Sequence, residues 1–395
     1  MKEVLFNFNP WWESQWSFDS IIREKYFSKL VSSVELRDII FLIGIRRVGK
    51  TTLMKELIND LLQKGISSNN ILYISCEHPI FDKYTILEVI SEFKTLFSHD
   101  NTEKLYLFFD EIQFKEDFER ELKILYDNYE SLKIFCSGSS ASILRDKKAF
   151  LTGRQRTFEI EPLDFKEYLS FRNYSIKSSM PHLTKSYFDE YLRFGGMPEY
   201  VLKRDSDYLL QLIDTILQKD IVSFHSIKNS KLVRDLFILL CERVGKQLSY
   251  TKLSKVLGVS VDTIMTYVSY FEDSYLISIV EKATPSLNER KRAQKKIYIT
   301  DHGMRNILVG FRDIGAIYEN LVFNKIKSHS PGYYLTKDGR EIDFVFDDVA
   351  IEAKFKDQIS EEDTSPLISS KFKTKLLAKD YTFFLEDEFP QVSRF

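Results

Sequence analysis

The sequence predicts a multidomain α/β protein, with a parallel sheet in residues 1–160 and a small αβ unit in residues 301–395. Three observations predict it. A short apolar strand turns through glycines into an amphipathic helix near residue 44. Later apolar strands end in acidic or serine-rich tips. Three strands near the C-terminal end place two carboxylates and a lysine on one face. Length agrees, since 395 residues exceed what one hydrophobic core organises and suggest roughly two to four domains.

Asp38-Ile-Ile-Phe-Leu-Ile43 reads as a buried strand and Thr52–Leu62 as an amphipathic helix. Between them, Gly44-Ile45-Arg46-Arg47-Val48-Gly49-Lys50-Thr51 fits Gly-x-x-x-x-Gly-Lys-[Ser/Thr] without a mismatch. Chain that turns from a strand into a helix N-terminus through glycines gathers backbone N–H groups around one hollow, and the helix dipole adds positive potential. A nucleoside triphosphate fits that hollow. The phosphate-binding residues are expected to be Gly44 to Thr51 together with Thr52, with Lys50 reaching the β- and γ-phosphates and the Thr51 hydroxyl ligating Mg²⁺.

A second strand follows at Asn70–Ser75 and a third at Leu105–Phe109, ending in Asp110-Glu111. Asp110 is expected to hold the metal through water, and Glu111 to activate the attacking water. In chain order one strand separates the phosphate-loop strand from the acidic strand, and that places the chain in the branch with an additional catalytic Glu. A fourth strand, Leu132–Cys136, runs into Ser137-Gly138-Ser139-Ser140, where a hydroxyl can bond the γ-phosphate or the lytic water. Ser137 is the favoured residue, with Ser139 close behind. Arg154 follows a glycine and Arg156 opens a fifth strand. In an oligomer Arg154 can neutralise charge at a neighbour's γ-phosphate, while surface pairing with acids is the plainer role for either arginine.

These motifs resemble the prokaryotic AAA-type ATPases whose C-terminal half is a nuclease-like domain. The matches are Gly44–Thr51, Leu105–Glu111, Ser137–Ser140, Leu151-Thr-Gly-Arg154, Glu161–Tyr168, Phe194-Gly-Gly-Met-Pro-Glu199 and Lys296–Gly303. The resemblance implies ATP as the nucleotide, a homo-oligomer, and a helical lid over residues 161–228. The group also includes signalling-type ATPases that use nucleotide as a switch. Gly195 and Gly196 are expected to be structural, allowing a tight bend.

Residues 229–300 carry a winged-helix pattern. Ser249 can cap a helix Tyr250–Leu257, Gly258-Val259 makes the turn, and Ser260 caps a second helix to about Phe271. Leu253, Val256, Leu257, Ile264, Val268 and Phe271 supply its apolar stripe. The second helix offers Asp262, Thr263, Thr266, Tyr267 and Tyr270 but no Lys or Arg, which weighs against base reading in a major groove. Arg290, Lys291, Arg292, Lys295 and Lys296 form a basic run at the place of a wing, either as phosphate contacts or as a solvated loop.

In residues 301–395, Tyr333–Thr336, Glu341–Phe346 and Val349–Phe355 read as a meander. If Asp347-Asp348 is a two-residue turn, Phe346 faces Val349 and Asp343 lies opposite Glu352. Lys354, two residues further on, shares their face. Two carboxylates and a lysine suit a Mg²⁺ site for phosphodiester cleavage, and Glu319, in the helix Ala316–Ser328, adds an acid. The set resembles the PD-(D/E)xK nuclease pattern. Opposed charges also stabilise hairpins without chemistry.

Composition limits the remaining options. A formal charge of −2 gives no global attraction to nucleic acid or anionic membrane. No apolar run approaches a membrane span, and the first residues lack a signal-peptide pattern. Cys76, Cys136 and Cys241 read as buried thiols of a reducing cytoplasm, and the six histidines show no zinc spacing. The expected fold is thus a parallel P-loop NTPase sheet, a helical lid, a winged helix and a C-terminal αβ nuclease-like domain. The expected protein is a cytoplasmic ATPase using ATP and Mg²⁺, with DNA as a candidate partner and no membrane association. The alternative is a nucleotide-gated signalling or scaffold ATPase whose last domain only binds a partner.

Overall fold

The computed structural model describes residues 1–139, 151–356 and 358–386, so Ser140 of the serine tip lies outside the described residues. The chain divides into two compact units, Met1–Glu161 and Pro162–Phe395.

In the first unit, helices α1 (Lys2–Phe8) and α2 (Glu24–Ser33) precede strand β1 (Ile39–Ile43). There follow α3 (Lys50–Gln63), β2 (Ile71–Ser75), α4 (Ile86–Phe97), β3 (Leu105–Asp110), α5 (Phe118–Asn128), β4 (Leu132–Gly138) and β5 (Gln155–Glu159). The five strands pair in the order β2-β3-β4-β1-β5, all parallel. β1 to β4 are runs of buried apolar residues, as strands covered on both faces require. Parallel strands bring their carboxyl ends to one edge, where ligands bind in open α/β sheets. Chain order puts β2 between the phosphate-loop strand and the acidic strand, but in space β4 lies between them. The serine tip of β4 therefore stands beside both.

One edge of the sheet is β2, and residues 1–12 cover it. Asn9 behaves as a strand partner: its side chain donates to the Tyr73 carbonyl (2.9 Å) and accepts the Tyr73 N–H (2.6 Å). The indoles of Trp11 and Trp12 both donate to the Ile71 carbonyl (3.2 and 2.9 Å). Unpaired edge groups, which otherwise invite another strand, are satisfied by side chains here.

The second unit begins with helices α6 (Phe165–Phe171), α7 (Pro181–Phe194), α8 (Pro198–Lys203), α9 (Ser206–Ile216) and α10 (Ser230–Cys241). Next come β6 (Gln247–Leu248), α11 (Tyr250–Leu257), α12 (Val261–Asp273), β7 (Ile277–Val280), α13 (Leu287–Arg292) and β8 (Lys295–Ile299), with β6, β8 and β7 in one antiparallel sheet. Helices α14 (His302–Val309) and α15 (Ile314–Ile326) lead to β9 (Gly332–Leu335), β10 (Glu341–Phe346), β11 (Val349–Ala353), α16 (Glu361–Ile368) and β12 (Thr374–Ala378). This sheet has the order β12-β11-β10-β9. β12, parallel to β11, is a fourth strand beyond the expected meander.

Ser249 and Ser260 cap α11 and α12 through the Lys252 and Thr263 N–H groups (3.3 and 3.1 Å), and Gly258 ends α11 at φ +67°. Val256 departs from the expected stripe. It is 64% exposed, because Leu253 and the half-buried Leu257 take the inward side of this short helix. The basic run is not a loop either. Ser286 caps it into α13, and Lys295 and Lys296 belong to β8.

One aromatic-rich core joins the segments expected as lid and as C-terminal domain: Phe165, Tyr168, Phe188 and Tyr191 pack with Tyr318, Phe344 and Phe384. Glycines make its tightest joint. A Cβ on Gly196 would lie 2.2 Å from the Leu163 carbonyl oxygen, and one on Gly303 would lie 2.1 Å from that of Phe194. The buried Asp301 carboxylate accepts the Gly196 and Met304 N–H groups (2.7 and 2.9 Å), tying the Phe194–Glu199 and Lys296–Gly303 motifs together.

Candidate functional site

The phosphate loop packs closely on itself and on the end of β5. Gly44 sits at φ +140°, and a Cβ there would meet the Ile160 carbonyl oxygen at 2.3 Å. Its glycine is thus demanded by packing against the end of β5. Gly49, at φ +106° with open space around it, is demanded by conformation alone. Ile45 and Val48 are buried, while Arg46 lies 3.9 Å from Glu77. Arg47 adopts φ +63°. Lys50, 4% exposed, donates to the carbonyls of Gly44 (2.9 Å) and Ile45 (3.1 Å). Helix α3 starts at Lys50, so the N–H groups of Lys50, Thr51 and Thr52 fall in its first turn, where helices leave donors open. Arg23, buried in the N-terminal segment, fixes the loop from behind by donating to the carbonyls of Val48 (3.0 Å) and Glu161 (2.9 Å).

Asp110 is the hub. The Thr51 hydroxyl donates to its Oδ2 at 2.7 Å, the Tyr73 phenol to the same oxygen at 2.8 Å, and Ser137 to Oδ1. Burial first, then the Asp110 charge and hydrogen bond, hold the Tyr73 phenol far above its ordinary range. Adjacent hydroxyl and carboxylate oxygens are the hard donors Mg²⁺ prefers, so the residues fit the ion. Ser137 also accepts the Glu111 N–H (2.9 Å). Glu111 stands at φ +53°, ψ +51°, a conformation that side chains larger than glycine adopt at a cost. Gln113 donates to its carboxylate and to Ser139 Oγ (3.1 Å). Sequence reasoning missed Tyr73, Arg23 and Gln113.

Arg154 lies elsewhere. Its carbonyl accepts the Ile39 N–H (2.8 Å) at the amino end of β1, a strand's length from the phosphate loop. Its guanidinium pairs with Asp127 of α5 (2.8 Å), and Arg156 pairs with Asp38 (3.3 Å). Within its own chain Arg154 is placed for an ion pair, so any role at a γ-phosphate requires a second copy.

The C-terminal carboxylates converge. Pairing of Phe346 with Val349 and of Phe344 with Ile351 brings Asp343 beside Glu352: the Asp343 N–H donates to Glu352 Oε2 (3.4 Å) and the Ala353 N–H to Asp343 Oδ2 (3.0 Å). The β9–β10 register shifts between Ile342 and Val345, a bulge that re-aims side chains at Asp343. Lys354 meets Glu352 (2.5 Å) and Asp343 (3.5 Å). Glu319 of α15 joins through Lys296, whose ammonium contacts Glu319 (3.0 Å), Glu341 (2.6 Å) and Asp343 (3.6 Å). Lys296 is therefore not a surface phosphate contact of the basic run; it is 2% exposed, and Lys295 pairs with Glu281 (2.9 Å). Burial, then the Asp343 charge, push both Glu319 and Glu352 up to about 7. Among the described residues, no group of three or more His, Cys, Asp or Glu is placed to hold a metal ion, and two ammoniums stand among these carboxylates. Asp343 and Glu352 remain an adjacent pair of oxygen donors, which fits a divalent ion.

A strand, glycine loop and helix with an acidic strand tip beside them define an AAA-type P-loop ATPase domain, and residues 36–169 match a family model described as AAA domain. The chain belongs to the same family as the uncharacterized protein MJ1544 of Methanocaldococcus jannaschii, with 31% identity over 322 residues, 76% of this chain and 70% of that one. An uncharacterized protein of Haemophilus influenzae is 28% identical over 82% of this chain and 83% of its own. Residues 185–314 match a domain of unknown function (DUF8612). Among solved structures, AMPPCP-bound DnaA from Aquifex aeolicus is similar at 18% identity over 65% of this chain and 89% of that one, with a TM-score of 0.29. The extended S. cerevisiae Hsp104:casein complex gives 14% identity over 65% and 50%, with a TM-score of 0.35. Overlaps this small carry nothing about activity. No described helix is long and apolar enough to cross a membrane.

Proposed function

We propose that the chain is a Mg²⁺-dependent ATPase that works as a homo-oligomer and couples nucleotide turnover to a C-terminal module that binds or cuts DNA. The observation that carries it is the bonded series Thr51–Asp110–Ser137–Glu111 at the mouth of the phosphate loop. Lys50, released from the loop carbonyls, binds the β- and γ-phosphates. Thr51 and Asp110 hold Mg²⁺, which supplies charge neutralisation. Glu111 takes the proton of the attacking water, and Ser137 fixes both acids in place. Arg154 acts on the neighbouring copy.

In the second unit, residues 229–300 supply a winged helix and residues 301–395 a nuclease-like domain with Asp343, Glu352, Lys354 and Glu319 as its site. A divalent ion there would polarise a phosphodiester, while Lys354 steadies the developing charge. A cleft of about 580 Å³ lined by Gln247, Lys282, Asn288, Glu289, Arg292 and Gln294 adjoins the cluster, since Gln247 touches Glu341 (3.3 Å). The second reading, a nucleotide-gated signalling or scaffold ATPase, is favoured by the lysines that already neutralise this cluster. Plasmid nicking with Mn²⁺ separates the two readings. The first expects cleavage by wild type and none by Asp343→Ala or Glu352→Ala; equal nicking by all three, or none by wild type, leaves the second.

A further inference from the structure

Two ammoniums enter the C-terminal cluster by different routes. Lys354 belongs to the same hairpin as its carboxylates, and its side chain is 26% exposed, so it can swing aside. Lys296 arrives from β8, four residues after the basic end of α13, and is enclosed at 2% exposure. It bridges carboxylates of two elements, Glu319 on α15 and Glu341 and Asp343 on β10. Tyr298, on the same face of β8 by strand alternation, donates to Glu319 Oε1 at 2.6 Å. Four carboxylates (Glu319, Glu341, Asp343 and Glu352) thus meet two ammoniums, one enclosed and one able to move.

We propose that Lys296 is the residue that sets divalent-ion affinity at this site, standing between Glu319 and Asp343 so that the third carboxylate is withheld from the ion. This rests on reading Asp343 and Glu352 as metal ligands. A like charge held within a few ångströms in a poorly solvated site repels an incoming cation strongly. Lys296 is enclosed among Glu319, Asp343 and Glu341, whose carboxylates lie 2.6 to 3.6 Å from its ammonium. Lys296 therefore positions Glu319 and does no chemistry of its own. It also links the cluster to α13, whose Arg290, Lys291 and Arg292 precede it in the chain.

The test is calorimetric titration of the full chain with Mn²⁺. Lys296→Met is expected to bind at least tenfold more tightly than wild type, because Glu319 becomes a ligand and a repulsive charge is gone. Affinity that is unchanged or weaker overturns the inference. Should Lys296→Met fail to fold, the comparison is made in a Glu319→Gln background, where the lost charge is offset. There the double variant should still bind at least threefold more tightly than Glu319→Gln alone, and equality overturns the inference. Wild-type binding that is lost in Asp343→Ala yet indifferent to Lys296 removes this inference and leaves the metal site standing. No binding by any variant removes both.

Discussion

The Thr51 hydroxyl donates to Asp110 Oδ2 across 2.7 Å, so the two groups assigned to one cation are direct neighbours. Thr51 lies in the first turn of α3 and Asp110 ends β3, and the register of β1, β4 and β3 brings their carboxyl ends together. Lys50, by contrast, faces back onto the loop carbonyls and must change partners to reach phosphate.

That difference separates two variants. Lys50→Ala is expected to abolish nucleotide binding with or without Mg²⁺, since the lysine contacts phosphate in the ground state. Thr51→Ala should keep metal-free nucleotide binding within a few fold and lose the enhancement that Mg²⁺ provides. Fluorescent-nucleotide titrations with Mg²⁺ and with EDTA check both, and a Thr51→Ala protein with wild-type Mg²⁺ enhancement would remove Thr51 from the metal.

The Arg154 guanidinium pairs with Asp127 and lies over the Tyr126 ring, exposed contacts of which the ion pair is worth less than about 1 kcal/mol. Arg154→Ala should leave the melting temperature nearly unchanged while reducing ATPase activity at least tenfold. Mixing it with Lys50→Ala subunits should restore part of that activity. Mixtures no better than the weighted parents contradict action in trans.

The protonation of Glu352 gives a pH signature. Its carboxyl is pushed from 4.5 to about 7, by burial first and the Asp343 charge second, against the pull of Lys354. Between those values the folded chain keeps a proton that the unfolded chain has released, so stability falls as pH rises through the window. In EDTA, the thermal midpoint of wild type should therefore fall relative to Glu352→Gln between about pH 4.5 and 7. A constant difference over that range contradicts the assignment.

What was legible in the sequence was local or periodic. The strand–loop–helix run showed the phosphate site because its spacing is its geometry. A two-residue turn at Asp347-Asp348 sufficed to place Asp343 beside Glu352, since antiparallel register follows from turn length. Contacts between distant segments were not legible. Arg23 behind the loop, Tyr73 on Asp110 and the edge cover by Asn9 and the tryptophans depend on how the chain returns, and no spacing announces them. Lys296 was hidden by its neighbours, because four nearby cations made it read as surface. The alternation Lys296-Ile-Tyr298-Ile was the available signal, placing lysine and tyrosine on one face of a buried strand.

ATP turnover by Glu111→Gln tests the central claim most directly. Glu111 stands at positive φ next to Asp110, with its N–H on Ser137 and its carboxylate bonded by Gln113. The account predicts that Glu111→Gln binds ATP as wild type does and hydrolyses it about 10²–10⁴-fold more slowly, the range typical of a positioned general base. Hydrolysis within about threefold of wild type would contradict the assignment of Glu111 and with it the proposed ATPase mechanism.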